Sequence, residues 1–119
     1  MRIMLAVAVL ASLAACSGAG LAEDYTWKIE APAQVDKGAD FAFKVVTTNP
    51  AGEAVEGIGY HYQIQWPGGT VQPLRRRGAS GLEERRRAGL TPGNSVLVVT
   101  CENREHAIVK VAEATVTVK

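Results

Sequence analysis

Large net charge, long apolar runs and a set of paired cysteines are all missing from this chain. Its 13 lysines and arginines face 12 acidic residues, a formal net charge of +1. That balance excludes global electrostatic steering toward nucleic acid or an anionic surface. The two cysteines, Cys16 and Cys101, are too few for the disulfide framework of a small cross-linked scaffold. The longest apolar run, Ile3 to Ala15 with Ser12 inside it, falls short of the roughly 20 residues a membrane-spanning helix needs. Amphipathic helical periodicity is missing too, which argues against a parallel sheet, since its crossovers need helices. Walker, Rossmann and CxxC patterns are absent, and Gly78-Ala79-Ser80-Gly81 lacks the spacing and the strand-to-helix elbow of a nucleophilic serine. These absences argue against an enzyme and imply no cofactor.

What is present begins at the N-terminus. Arg2 is the first charge and Glu23 the next. The apolar run between them has the length of a signal-sequence h-region, and small residues crowd its end. Leu13-Ala14-Ala15-Cys16 resembles the lipobox of bacterial lipoproteins. The resemblance implies that residues 1–15 are a signal peptide, that Cys16 carries a diacylglycerol thioether and an acylated amino terminus, and that the chain is membrane-anchored in the cell envelope. Several acyl chains hold firmly where one binds only marginally. Ser17 stands where an aspartate would argue for inner-membrane retention, which points to the outer membrane, facing the periplasm. The alternative is an ordinary secretory signal cut after Ala22, with Cys16 discarded. Residues 16–24 read as a lipidated tether, whose eight residues from Ser17 span roughly 16 Å as a flexible coil. Residues 25–119 are then one small domain, near the lower size limit for a self-sufficient core.

That domain reads as β throughout. Tyr25 to Glu30 alternates apolar and polar, and Pro32 stops it. Phe41, Phe43, Val45 and Thr47 share one face of a second strand, with Lys44 on the other. Asn49-Pro50-Ala51-Gly52 is a turn. Tyr60, Tyr62, Ile64 and Trp66 alternate with His61, Gln63 and Gln65, and Pro67-Gly68-Gly69 ends the run. Pro92-Gly93 suits a type II turn. Ser95 to Cys101 suits either a central strand buried on both faces or a strand of ambiguous register. Ala112, Ala114, Val116 and Val118 alternate in a last strand. Gly81 to Ala88 fits a short edge strand, where charges discourage unwanted pairing. The spacing predicts an all-β, antiparallel sandwich of about seven strands.

Gly38, Phe41-Ala42-Phe43-Lys44-Val45, Gly52, Val55 and Gly57, with the terminal Ala114-Thr115-Val116-Thr117-Val118, resemble bacterial immunoglobulin-like domains. The chain is similar to transthyretin-like and fibronectin type III-like sandwiches as well. Ala51 and Ala54 depart from the Asn and Pro frequent there, and no cysteine pair flanks Trp66. The resemblance implies an immunoglobulin-like architecture and, on such a fold, a structural or protein-binding module.

Arg75-Arg76-Arg77 and Arg85-Arg86-Arg87 put six arginines and two glutamates into residues 75–87. A hairpin turn over Gly78 to Gly81 would lay the triplets side by side as a site for an anionic envelope lipid, a glycan or another envelope protein, since guanidinium forks match phosphate and carboxylate oxygens. The alternative is a solvated loop whose arginines pair with Glu83, Glu84 and other surface acids. Nucleic acid does not suit an exported, anchored chain. Other candidates have plainer readings. Cys101 reads as a small buried apolar residue and His61 as an outer-face residue. Cys101, His106, Glu102 and Glu105 form too sparse a set for zinc. Asp36 and Asp40 around Gly38 suit a turn more than calcium. Tyr25, Trp27, Tyr60, Tyr62 and Trp66 read as core, with a sugar-stacking platform as the alternative.

Overall fold

In the computed structural model, residues 24–69, 74–103 and 105–119 are described. Cys16, its lipobox and most of the expected tether lie outside them. Nine strands follow one another: β1 (Thr26–Glu30), β2 (Gln34–Val35), β3 (Asp40–Thr48), β4 (Ala54–Val55), β5 (Gly59–Gln65), β6 (Arg76–Ala79), β7 (Glu83–Arg87), β8 (Gly93–Glu102) and β9 (Ile108–Val118). Two of these, β2 and β4, are two residues long, so the seven longer strands match the expected number. Among the described residues there is no helix.

The strands form two sheets. In one, β3 pairs with β1 through Lys44–Thr48, with β7 through Asp40–Lys44 and with β4 through Thr47–Thr48. Lys44 cannot serve β1 and β7 from one side, so β7 and β4 share the edge of β3 opposite β1. The other sheet runs β2-β9-β8-β5-β6. Here β1 and β2 are a single run of chain that crosses between the sheets after Ala31-Pro32. This layout, with β3 beside β7 in one sheet and β5-β8-β9 in the other, is an immunoglobulin-like sandwich. One pair departs from the antiparallel expectation: β2 runs parallel to β9, Gln34 opposite Thr117 and Val35 opposite Val118.

Alternation decides which faces meet. Phe41, Phe43, Val45 and Thr47 are buried, as are Tyr60 and Tyr62, and Val116 and Val118. Ile64, expected with them, is half-buried and packs on the margin of the core. Edge-to-face rings join the sheets: Trp27 on Tyr60 at 6.4 Å, Phe43 on Tyr62 at 5.0 Å and Phe41 on Trp66 at 6.0 Å. These aromatics are the core, not a sugar platform. Central strand β8 buries Ser95, Leu97, Val99 and Cys101 but leaves Val96, Val98 and Thr100 half-covered. Its outer face is therefore partly open, against the both-faces reading. Pro92-Gly93 is not a free turn: Gly93, at φ 137°, already opens β8 opposite Val118.

The turn at residues 49–52 forms as expected. Gly52 N–H donates to the Asn49 carbonyl at 2.9 Å, and Asn49 Oδ1 accepts from Ala51 and Glu53 N–H at 3.0 and 2.9 Å. Gly52 takes φ 87°, a left-handed value that a side chain would strain.

Candidate functional site

The arginine triplets do not lie side by side. Residues 78–81 form no hairpin, because the chain changes sheets there. Strand β6 pairs with β5, Arg76 opposite Tyr62 and Arg77 opposite His61, while β7 pairs with β3 in the other sheet. The cause is Ser80. It is fully buried, its N–H donates to the Ile58 carbonyl at 2.9 Å, and the Gly81 N–H donates to the Val45 carbonyl at 2.8 Å. One residue thus bonds to the β5 side and the next to β3. Ser80 Oγ accepts from Ile58 N–H at 3.0 Å, donates to the Val55 carbonyl at 3.1 Å, and lies 3.0 Å from Thr47 Oγ1. A buried hydroxyl saturated in this way is a structural pin, not a nucleophile.

The second triplet is neutralised locally. Arg85 lies 3.4 Å from Glu83, and Arg87 lies 3.5 Å from Asp40, all exposed. Such pairs contribute only about 0–1 kcal/mol each. Arg86 differs, because the pleat turns it and Glu84 toward the sandwich. Its Nε donates to Tyr62 Oη at 2.7 Å, Tyr62 Oη donates to Glu84 Oε1 at 3.3 Å, and the Arg86–Glu84 pair closes at 3.7 Å. The guanidinium also lies 5.6 Å from the Tyr62 ring centroid. This cluster seals the flank of the core. Asp40 is thereby an ion-pair partner of β7, and Asp36 accepts from Ala39 N–H through its backbone carbonyl at 3.1 Å, which is a turn role.

Arg75, Arg76 and Arg77 are exposed, and among the described residues no carboxylate lies within ion-pair distance of them. Arg77 stands across from His61 on the outer face of β5–β6. His61 titrates below its usual value, first because burial disfavours its charged form, then because Arg75 and Arg77 repel the proton, with Glu102 opposing them.

Cys101 and His106 diverge. Cys101 points into the sandwich, its Sγ 3.8 Å from the Glu102 carbonyl, and burial pushes its thiol pKa up. His106 is exposed at φ 66° in the β8–β9 turn, with Nδ1 3.4 Å from Glu102. Among the described residues, no group of three or more His, Cys, Asp or Glu side chains is placed to hold a metal. An open cleft of about 600 Å³ lies between Pro32, Val35, Phe41 and Lys119, where the β1–β2 crossover leaves β3 uncovered. Among the described residues the acidic side chains lining it are Asp36 and Asp40, and Asp40 is paired with Arg87. Sequence reasoning put Thr47 on the inner face and offered Glu83 and Glu84 as arginine partners, but it did not connect Thr47 to Ser80 or Tyr62 to Glu84 and Arg86. The inward phase of Thr47 with three apolar neighbours was the one available signal.

No family model matches the chain, and no curated protein is significantly similar to it. Solved structures offer likenesses of fold alone. The PKD domain of an M14-like peptidase from Thermoplasmatales archaeon SCGC AB-540-F20 is 20% identical, with 78% of this chain and 92% of that one covered and a TM-score of 0.46. A CARDB domain from Pyrococcus furiosus, solved in complex with di-metal ions, is 15% identical over 81% and 86%, with a TM-score of 0.43. A beta-glucosidase from Listeria innocua in complex with glucose is 14% identical over 80% of this chain, at a TM-score of 0.46, and the match spans only 16% of that enzyme.

Proposed function

We propose that the protein is an envelope lipoprotein that displays one immunoglobulin-like sandwich from a membrane, as a structural or protein-binding module rather than an enzyme. Leu13-Ala14-Ala15-Cys16, directly behind an apolar run, carries this reading. Its distance from the fold supports it. Strand β1 begins at Thr26, so about ten residues separate the cysteine from the sandwich, enough for a tether and too few for another domain. No helix among the described residues is long and apolar enough to cross a membrane, and on this reading acyl chains on Cys16 supply the attachment. The absence of a leading aspartate after Cys16 favours the outer membrane. Among the described residues Ser80 and the two imidazoles do not converge. Ser80 is sealed in the core, His61 faces outward, and His106 lies in the turn beyond β8.

The test is expression in a bacterial host followed by fractionation and intact-mass analysis. The expected product begins at Cys16, carries acyl mass there and partitions with membranes. Cys16→Ala should leave it unprocessed or soluble. A mature N-terminus at Glu23 without acyl mass would overturn the reading.

A further inference from the structure

We propose that the outer face of β5–β6 is a binding site for a tetrahedral oxyanion, a phosphate or sulfate group, held by Arg75, Arg77 and His61. This goes beyond the display function and does not depend on how the chain is anchored.

The fold separates the triplets in chemistry as well as in space. Each arginine of β7 already has a carboxylate: Glu83, Glu84 or Asp40. The triplet that leads into β6 has none among the described residues. Strand geometry then sorts that triplet. Arg76, opposite Tyr62, belongs to the inward phase, while Arg77, opposite His61, is on the outer face. Arg75, two residues before Arg77, acts on His61 electrostatically alongside it. Extended backbone would put Arg75, one residue before β6, about 6.6 Å from Arg77, and cross-strand neighbours such as Arg77 and His61 have Cβ atoms about 5 Å apart. Three nitrogen donor groups at those spacings match the oxygens of one tetrahedral anion, and guanidinium forks bind such oxygens bidentately. Strand β6 is the edge of its sheet among the described residues, and Arg75 and Arg77 are exposed.

Other charged groups around His61 leave the site open. From β8, Glu102 opposes the two arginines but lies 3.4 Å from His106 Nδ1. From β9, Lys110 stands across from Thr100, the β8 partner of His61, and is paired with Glu113 at 2.7 Å. Burial first, and then Arg75 and Arg77, make His61 give up its proton readily. A bound dianion reverses that field, so binding and imidazole protonation favour each other.

The experiment follows the His61 imidazole signals of the full chain by NMR as pH is varied, with sulfate as probe, because its charge is constant across the range. Sodium chloride at equal ionic strength is the control. Sulfate should raise the His61 midpoint by about half a unit or more, and its affinity should rise about threefold from the high-pH to the low-pH plateau. Arg75→Gln with Arg77→Gln should abolish the shift, while Arg85→Gln with Arg87→Gln should retain it. His106 serves as an internal reference and should not move. Glycerol 3-phosphate and glycerophosphoglycerol, the deacylated headgroup of a phospholipid, separate the sources. A response to both supports a lipid headgroup, and a response to the monoester alone supports a soluble phosphate ester. No shift beyond the chloride control, or an equal loss in both double variants, would overturn the site.

Discussion

Ser80 Oγ and the Ile58 N–H meet at 3.0 Å inside the protein, and that single bond has a measurable value. Ser80→Ala would leave the buried amide without its acceptor, at a cost of about 1–3 kcal/mol. Urea denaturation should show the midpoint falling at unchanged slope. A loss below about 0.5 kcal/mol would mean that the amide finds water instead. Gly78 is a second constraint at this scale. A Cβ there would lie 2.5 Å from the Tyr60 ring carbon Cζ and hydroxyl, so Gly78→Ala must displace the ring and should destabilise by about 1–3 kcal/mol. Both residues were visible in the sequence only as part of a small-residue turn. Their roles depend on partners 20 or so residues away, Ile58 and Tyr60, which no local pattern connects to them.

At the scale of the element, β7 is an edge strand with an inward-facing ion pair. Inward charges on an edge oppose strand addition by another chain. Replacing both Glu84 and Arg86 with Leu should therefore leave the fold intact, since a half-buried pair exchanged for apolar side chains is often neutral or stabilising, yet should promote self-association. Light scattering of the double variant against the parent, over a concentration series, is the readout. Unchanged mass at every concentration would sink the idea. Phe43, fully buried beneath Tyr62, makes the opposite case: Phe43→Ala should cost about 3–5 kcal/mol, seen as a large drop in melting temperature. The strands were legible because period-two alternation is local. Where β7 pairs was not, because the residues between the triplets read equally well as a hairpin turn or as a passage between sheets.

For the whole molecule, the tyrosines of β5 set an alkaline limit. Burial first, then Glu84 and Tyr62, raises the Tyr60 pKa above the usual 10.0, and burial raises that of Tyr62. The unfolded chain loses these protons near the usual value while the folded chain retains them. Stability is thus complete below about pH 10 and is lost as pH rises beyond it. Tyr60→Phe should flatten this alkaline loss in denaturation curves taken from pH 8 to 12. At neutral pH it should cost nothing or stabilise, because among the described residues the buried Tyr60 hydroxyl has no hydrogen-bond partner. An alkaline slope identical to that of the parent would show that other groups set the limit.

The sequence by itself determined the all-β class, the inward faces of β3, β5 and β9, the turn at Asn49–Gly52 and the burial of Cys101. Alternation and turn chemistry act over a few residues, and every participant is adjacent in the chain. Only the tertiary structure decided that Arg75–Arg77 and Arg85–Arg87 belong to different sheets, that one triplet is matched by carboxylates, and that β2 runs parallel to β9. Those outcomes depend on Ser80 bonding toward one sheet and Gly81 toward the other, and on Asp40 meeting Arg87 across 47 positions of chain. Charge density along a sequence reports how many arginines stand together. Which of them retain a free field is settled by what the fold places opposite.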